Sequence, residues 1–115
     1  MTIKIEIPDM NDSISRITLA NKEFLIRFTW NDTYGYWSFG LYDTKENPII
    51  HSTKIVPYSP LNHFYTSKDM PDGIFGCITN LKKVGRNDFK NGQAEFIFIP
   101  NDDLEGWEVG DAYEQ

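Results

Sequence analysis

The chain has 115 residues, one cysteine (Cys77), two histidines, and no apolar run near the roughly 20 residues that span a bilayer as a helix. A single cysteine excludes an intramolecular disulfide framework. Cys77 lies in the apolar stretch IFGCIT, so a buried, inert thiol is expected there. His51 and His63 stand in different segments, with no Cys, His or carboxylate at ligand spacing, so no metal or cofactor is expected. The oxygen-rich stretches Asp9–Asp12 and Asn101–Asp103 lack the glycine and terminal glutamate of a calcium loop. Nucleophile elbow, phosphate loop, zinc helix and dinucleotide fingerprint are all missing, which disfavours an enzyme. There is also no basic surplus: the net charge is −6, and nucleic-acid binding is not expected. The start, MTIKIEIPDM, shows no export-signal pattern, which agrees with synthesis in a reducing bacterial cytoplasm and with no membrane partner.

What is plentiful is aromatic: 15% of residues, within a 40% hydrophobic share. The densest stretch, Glu23–Asp43 (EFLIRFTWNDTYGYWSFGLYD), predicts two strands joined by a turn. Side chains alternate across a strand, so Phe24, Ile26, Phe28 and Trp30 share one face, as do Trp37, Phe39 and Leu41. Asn31–Gly35 supplies the turn, with Gly35 free to take a positive φ. Trp30 and Trp37 flank that turn as a cross-strand pair and are expected in the core.

The same alternation predicts further strands at Thr2–Ile7, Ser13–Ala20, Ile49–Val56, Ile74–Asn80 and Gln93–Ile99. Ile14 is out of phase with Ile17 and Leu19, which predicts a bulge or a late strand start. Asn21-Lys22 reads as a two-residue connection. The first five strands, with short polar links, predict an antiparallel meander. Pro57–Gly73 carries three prolines beside Leu61, Phe64, Tyr65 and Met70, and reads as a packed loop with a helical turn near Leu61–Tyr65. Leu81–Gly92 reads as a polar loop. The expected fold is all-β: a small antiparallel β-barrel or β-sandwich of about seven strands in residues 1–100.

Residues 101–115 form an acidic C-terminal tail with six of the seventeen acids and no base, leaving eleven acids against eleven bases in residues 1–100. The tail also carries Trp107 and Tyr113. It is either solvated or laid across a basic groove of a neighbour, and Lys82, Lys83, Arg86 and Lys90 form the one basic patch that fits such a groove. Tyr34, Tyr36 and Tyr42, in the turn or on the outer face, are candidate contacts for another subunit. With Trp107 they are also candidate stacking platforms for a sugar, which keeps a stand-alone carbohydrate-binding β-sandwich as an alternative. A small hydrolase using a carboxylate pair is a weaker one.

One ordered set of residues carries a resemblance. Leu19 precedes a short turn, then come Trp30-Asn31, Gly35-Tyr36-Trp37, the strand Phe39–Asp43, Asn47-Pro48-Ile49, Ile55-Val56, Leu61, and the last strand AEFIFIP. Over roughly residues 14–100 this resembles the small baseplate plug proteins of contractile-tailed bacteriophages; the acidic extension after Pro100 exceeds the usual ending. The resemblance implies a non-enzymatic structural subunit of a phage or prophage-derived tail baseplate, in the virion. It implies hub, tube or tape-measure end as partners, possible self-association, and no catalytic residues.

Overall fold

The computed structural model, which describes residues 2–57, 61 and 70–100, arranges seven strands in two antiparallel sheets among those residues. In chain order they are β1 (Ile3–Ile5), β2 (Asp12–Leu19), β3 (Lys22–Asn31), β4 (Tyr36–Tyr42), β5 (Pro48–Lys54), β6 (Gly73–Thr79) and β7 (Ala94–Pro100). One sheet runs β2-β3-β4-β5 and the other β1-β7-β6. No ladder links the two among the described residues, so of the two expected architectures the fold is a small β-sandwich.

The expected five-strand meander is a four-strand one. β1 pairs with β7, Ile3 opposite Phe98 and Ile5 opposite Phe96, and after Ile5 the chain leaves that sheet for the four-stranded one. The reason lies in the connection: six residues, Glu6–Asn11, separate β1 from β2, and within them the Met10 N–H donates to the Pro8 carbonyl at 2.8 Å. The segment between β1 and β2 is thus long enough to change layers.

The inward faces follow the alternation. Phe24, Ile26 and Phe28 on β3, Trp37, Phe39 and Leu41 on β4, and Phe75, Phe96 and Phe98 on the other sheet are buried. Rings cross between the sheets, with centroids 5.2 Å apart for Phe28–Phe96 and Phe39–Phe75 and 5.0 Å for Phe39–Phe96. These tilted and edge-on contacts suit aromatic quadrupoles and fill the layer between the sheets. Trp30 lies opposite Trp37 with ring centroids 5.5 Å apart, the cross-strand pair read from the turn's two shoulders. Cys77 is buried, and burial pushes its thiol up to about 11, which makes it a poor nucleophile.

Local turn chemistry explains the joints. Ala20 and Asn21 both have positive φ (50° and 66°), forming a two-residue turn that closes on Leu19 opposite Lys22. The connection is therefore Ala20-Asn21 rather than Asn21-Lys22. Gly35 takes φ 72°, its N–H donates to the Asn31 carbonyl at 2.7 Å, and the Asn31 side chain accepts from the Tyr34 N–H. At the next turn, the Asp43 carboxylate accepts the N–H groups of Lys45 and Asn47 and the Asn47 amide. These bonds, the Asn47 N–H foremost, hold the Asp43 carboxyl below its ordinary range.

Two further expectations are corrected. β2 has no bulge and no late start: its register with β3 is unbroken from Asp12 opposite Thr29 to Leu19 opposite Lys22. Ile14 simply faces outward, because the inward positions near the strand's start belong to the small residues Ser13 and Ser15. The irregularity sits in β5, where register shifts against β4 let consecutive Ile49 and Ile50 both be buried. The polar loop between β6 and β7 is anchored by apolar residues, since Val84 is buried and Phe89 packs on the core beside Trp37. Of the Pro57–Gly73 segment, Leu61 is buried and Met70 packs on the core. The helical turn expected at Leu61–Tyr65 falls largely outside the described residues, as do His63 and the tail.

Candidate functional site

The outer face of the four-stranded sheet is built by the residues that alternate with the core. On β4 these are Tyr36, Ser38, Gly40 and Tyr42. On β3 Leu25 stands opposite Tyr42 and Arg27 opposite Gly40, and on β2 Ile14 stands opposite Arg27. Tyr42 leans over Gly40, where a Cβ would come 3.2 Å from its hydroxyl oxygen. Ile14, Leu25, Arg27, Tyr42 and Glu46 line a shallow hollow of about 220 Å³. Arg27 forks onto Asp12 with bonds of 2.8 and 2.6 Å. That pairing holds the Asp12 carboxyl below, and the guanidinium above, its ordinary range.

The three candidate tyrosines do not form a row. Tyr34 is 74% exposed at the tip of the β3–β4 turn. Tyr36 is half-buried, accepts from the Asn31 amide, and carries the Lys54 ammonium 5.0 Å from its ring centre. Tyr42 lies six residues further along β4, roughly 20 Å away at the ordinary rise of a strand. A shared stacking platform for a sugar is not assembled by these rings.

The basic patch is divided too. Arg86 donates to Asp9 at 3.0 Å and to the Asn11 side chain at 2.7 Å, and Lys90 donates to the same Asp9 at 3.2 Å. These contacts tie the β6–β7 loop to the β1–β2 loop. The Arg86 guanidinium also rests 5.2 Å from the Trp37 ring centre. Asp9, held first by Lys90 and then by Arg86, stays below its ordinary carboxyl range. Lys82 and Lys83 are exposed, and Lys83 extends to the β3–β4 turn, its Nζ 3.6 Å from where a Cβ on Gly35 would lie. Lys83 and Tyr34 thus share one corner of the molecule. Trp107 and Tyr113 lie outside the described residues.

Chemically, this surface is suited to contact. Asp9, Asp12 and Asp43 are each held ionised by donors, the opposite of the raised pKa that general-acid work requires. No group of three or more His, Cys, Asp or Glu residues is placed to hold a metal ion among the described residues. Residues with an open role that the alternation did not single out are Met10 and the outward set of β2. Their signal was the out-of-phase Ile14, 62% exposed, with Met10 at 56% beside it.

No curated protein matches the chain in sequence. A family model described as the cyanophage baseplate Pam3 plug gp18 matches residues 2–102. That match takes in every strand of both sheets, the aromatic hairpin and the last strand included. The chain belongs to this family of phage baseplate plug proteins.

Proposed function

We propose that this protein is a non-enzymatic plug, a hub-associated subunit at the centre of a phage or prophage-derived tail baseplate, which acts through protein–protein interfaces. The observation that carries this reading is the family match across residues 2–102. Its partners are other tail proteins, at the hub, tube or tape-measure end, met after synthesis in the host cytoplasm. The exposed corner of Tyr34, Lys82 and Lys83 supports contact by loops and turns. Arg86 and Lys90 are engaged with Asp9, so any acidic segment docking on this patch, including residues 101–115 of a neighbour, meets Lys82 and Lys83 first.

The test is genetic and structural. Deleting the gene from the phage or prophage that carries it is expected to give tails without density at the baseplate centre and with early loss of DNA. The wild-type protein is expected in purified tails, at the baseplate end by cryo-electron microscopy. Tails that stay closed and fully infectious without it would overturn the proposal.

A further inference from the structure

We propose that β2 is a docking edge for a second copy of this chain, joined by antiparallel β2–β2 pairing about a two-fold axis at Ile14. The four sheet edges differ sharply. β1 is three residues long, too short to template much pairing. β5 starts at Pro48 and its register is broken twice by bulges. On β6, the Phe75 carbonyl already accepts the Leu61 N–H at 2.9 Å. β2 has eight residues in unbroken register, without proline or glycine. Natural sheets usually blunt such an edge with charge; here Asp12 and Arg16, of opposite sign, stand on either side of exposed Ile14, with exposed Met10 just before the strand.

The direction of the backbone groups follows from the turn. Ala20-Asn21 closes a two-residue hairpin, so Leu19 and Lys22 form a hydrogen-bonded pair and the bonded pairs recur at every second residue. Odd-numbered residues of β2 therefore address β3. The Asn11 carbonyl, which accepts the Trp30 N–H at 2.8 Å, keeps the same phase. Asp12, Ile14, Arg16 and Thr18 then turn their N–H and C=O groups to the edge that no described strand covers.

Side chains select the register. In a sheet continued across a two-fold axis, opposed residues must share a face. Centring on Ile14 sets isoleucine against isoleucine and, on both sides, Asp12 against Arg16 of the second copy. Centring on Ser15 pairs more of β2 but sets Ile14 against Arg16, and centring on Arg16 opposes like charges; centring on Ser13 pairs only Asp12–Ile14 within the strand. Asp12 already holds Arg27 and Arg16 already holds Glu23 at 2.8 Å on the same outer face. The Ile14 register extends these pairs into a row of alternating sign, Glu23–Arg16 followed by Asp12–Arg27 of the second copy. On the inner face it sets Ser13 against Ser15 of the second copy. Among the described residues the buried Ser13 hydroxyl has no hydrogen-bond partner, and an opposed serine supplies one. A hollow along this edge, bounded by Pro8, Met10, Asp12 and Ile14, gives room for the second strand's Arg16 and Thr18.

Sedimentation equilibrium of the full chain, over a range of concentrations, tests the pairing. A reversible dimer is expected. Ile14→Pro removes an N–H that faces the edge and leaves the β2–β3 ladder whole, so it is expected to weaken the dimer about tenfold or more with unchanged far-UV circular dichroism. Ile14→Cys is expected to form a disulfide between copies on oxidation. Ser15→Cys is not, because the two Ser15 positions are offset along the strands beyond disulfide reach. Asp12→Arg or Arg16→Asp alone is expected to weaken the dimer, and the two together to recover part of it, because the swap restores the pair between copies but sets Arg27 and Glu23 beside like charges within each copy. A wild-type chain that stays monomeric, an Ile14→Pro chain that dimerises as well as wild type, or preferential cross-linking through Ser15→Cys would each overturn the proposal. So would an edge that pairs only with a different tail protein. The plug role rests on the family match and stands or falls separately.

Discussion

The β3–β4 hairpin and the loop between β6 and β7 show two ways this chain holds itself together. The hairpin is secured by residues near in sequence: Trp30 against Trp37, Gly35 in the turn, and inward rings at every second position. The loop, from residue 80 to residue 93, is secured at a distance. Arg86 and Lys90 reach Asp9 across more than seventy residues, while Val84 and Phe89 are pressed into the core. A loop with four cations looks like a free basic surface, yet two of them serve as internal ties. Charge in a loop therefore says little about availability until its partners are known.

The contrast can be tested by removing each kind of support. The largest effect is expected in the hairpin's core. Phe39→Ala leaves a cavity among Phe75 and Phe96 and should cost about 3–5 kcal/mol in urea unfolding, against about 1–2 kcal/mol for the half-buried loop anchor Phe89→Ala. Equal losses would show that the loop is as much core as the hairpin. Next comes the turn: Gly35→Ala forces a side chain into φ 72° and should cost about 1 kcal/mol, with the sandwich intact by circular dichroism.

The smallest effect is expected from the long-range ion pairs, which are exposed to solvent and screened. The folded-state pKa of Asp9 lies below its ordinary 3.8. Its contribution is therefore present above about that pH and lost as pH falls through the lower folded value. Thermal melts between pH 7 and pH 2 should show Asp9→Asn slightly less stable than wild type at neutral pH. The two should converge in acid. Parallel curves would show that Asp9 does not tie the loops.

Much of the sandwich was legible because its cause is local. Alternation located all seven strands within a residue or two, and the inward rings of β3 and β4 follow from parity alone. The mistaken points have tertiary causes. Ile14 looked like a bulge, because an exposed isoleucine breaks an otherwise regular pattern; its outward place depends on Ser13 and Ser15 fitting beneath the sheet's edge. Ile49 and Ile50, both buried, were legible only as a strand, since the bulge that admits both is set by pairing with β4. Tyr36 and Tyr42 lie off the core face, as alternation along the strand predicts, and Tyr34 is exposed in the turn. Their separation along β4, and the cation over Tyr36, depend on strand direction and on neighbours from β5.

By itself, then, the sequence determined the all-β class, the aromatic core and the turn positions, because side-chain parity and turn propensities act over a few residues. Its ordered motifs also pointed to the baseplate plug family, which the match over residues 2–102 bears out. Tertiary structure decided that β1 joins β7 rather than β2, that the sheets stay open as a sandwich, and that Arg86 and Lys90 are taken by Asp9. It also left β2 as the long, regular edge among the described strands. These outcomes depend on which distant segments meet, and a contact between residues far apart in the chain leaves no periodic mark in either of them.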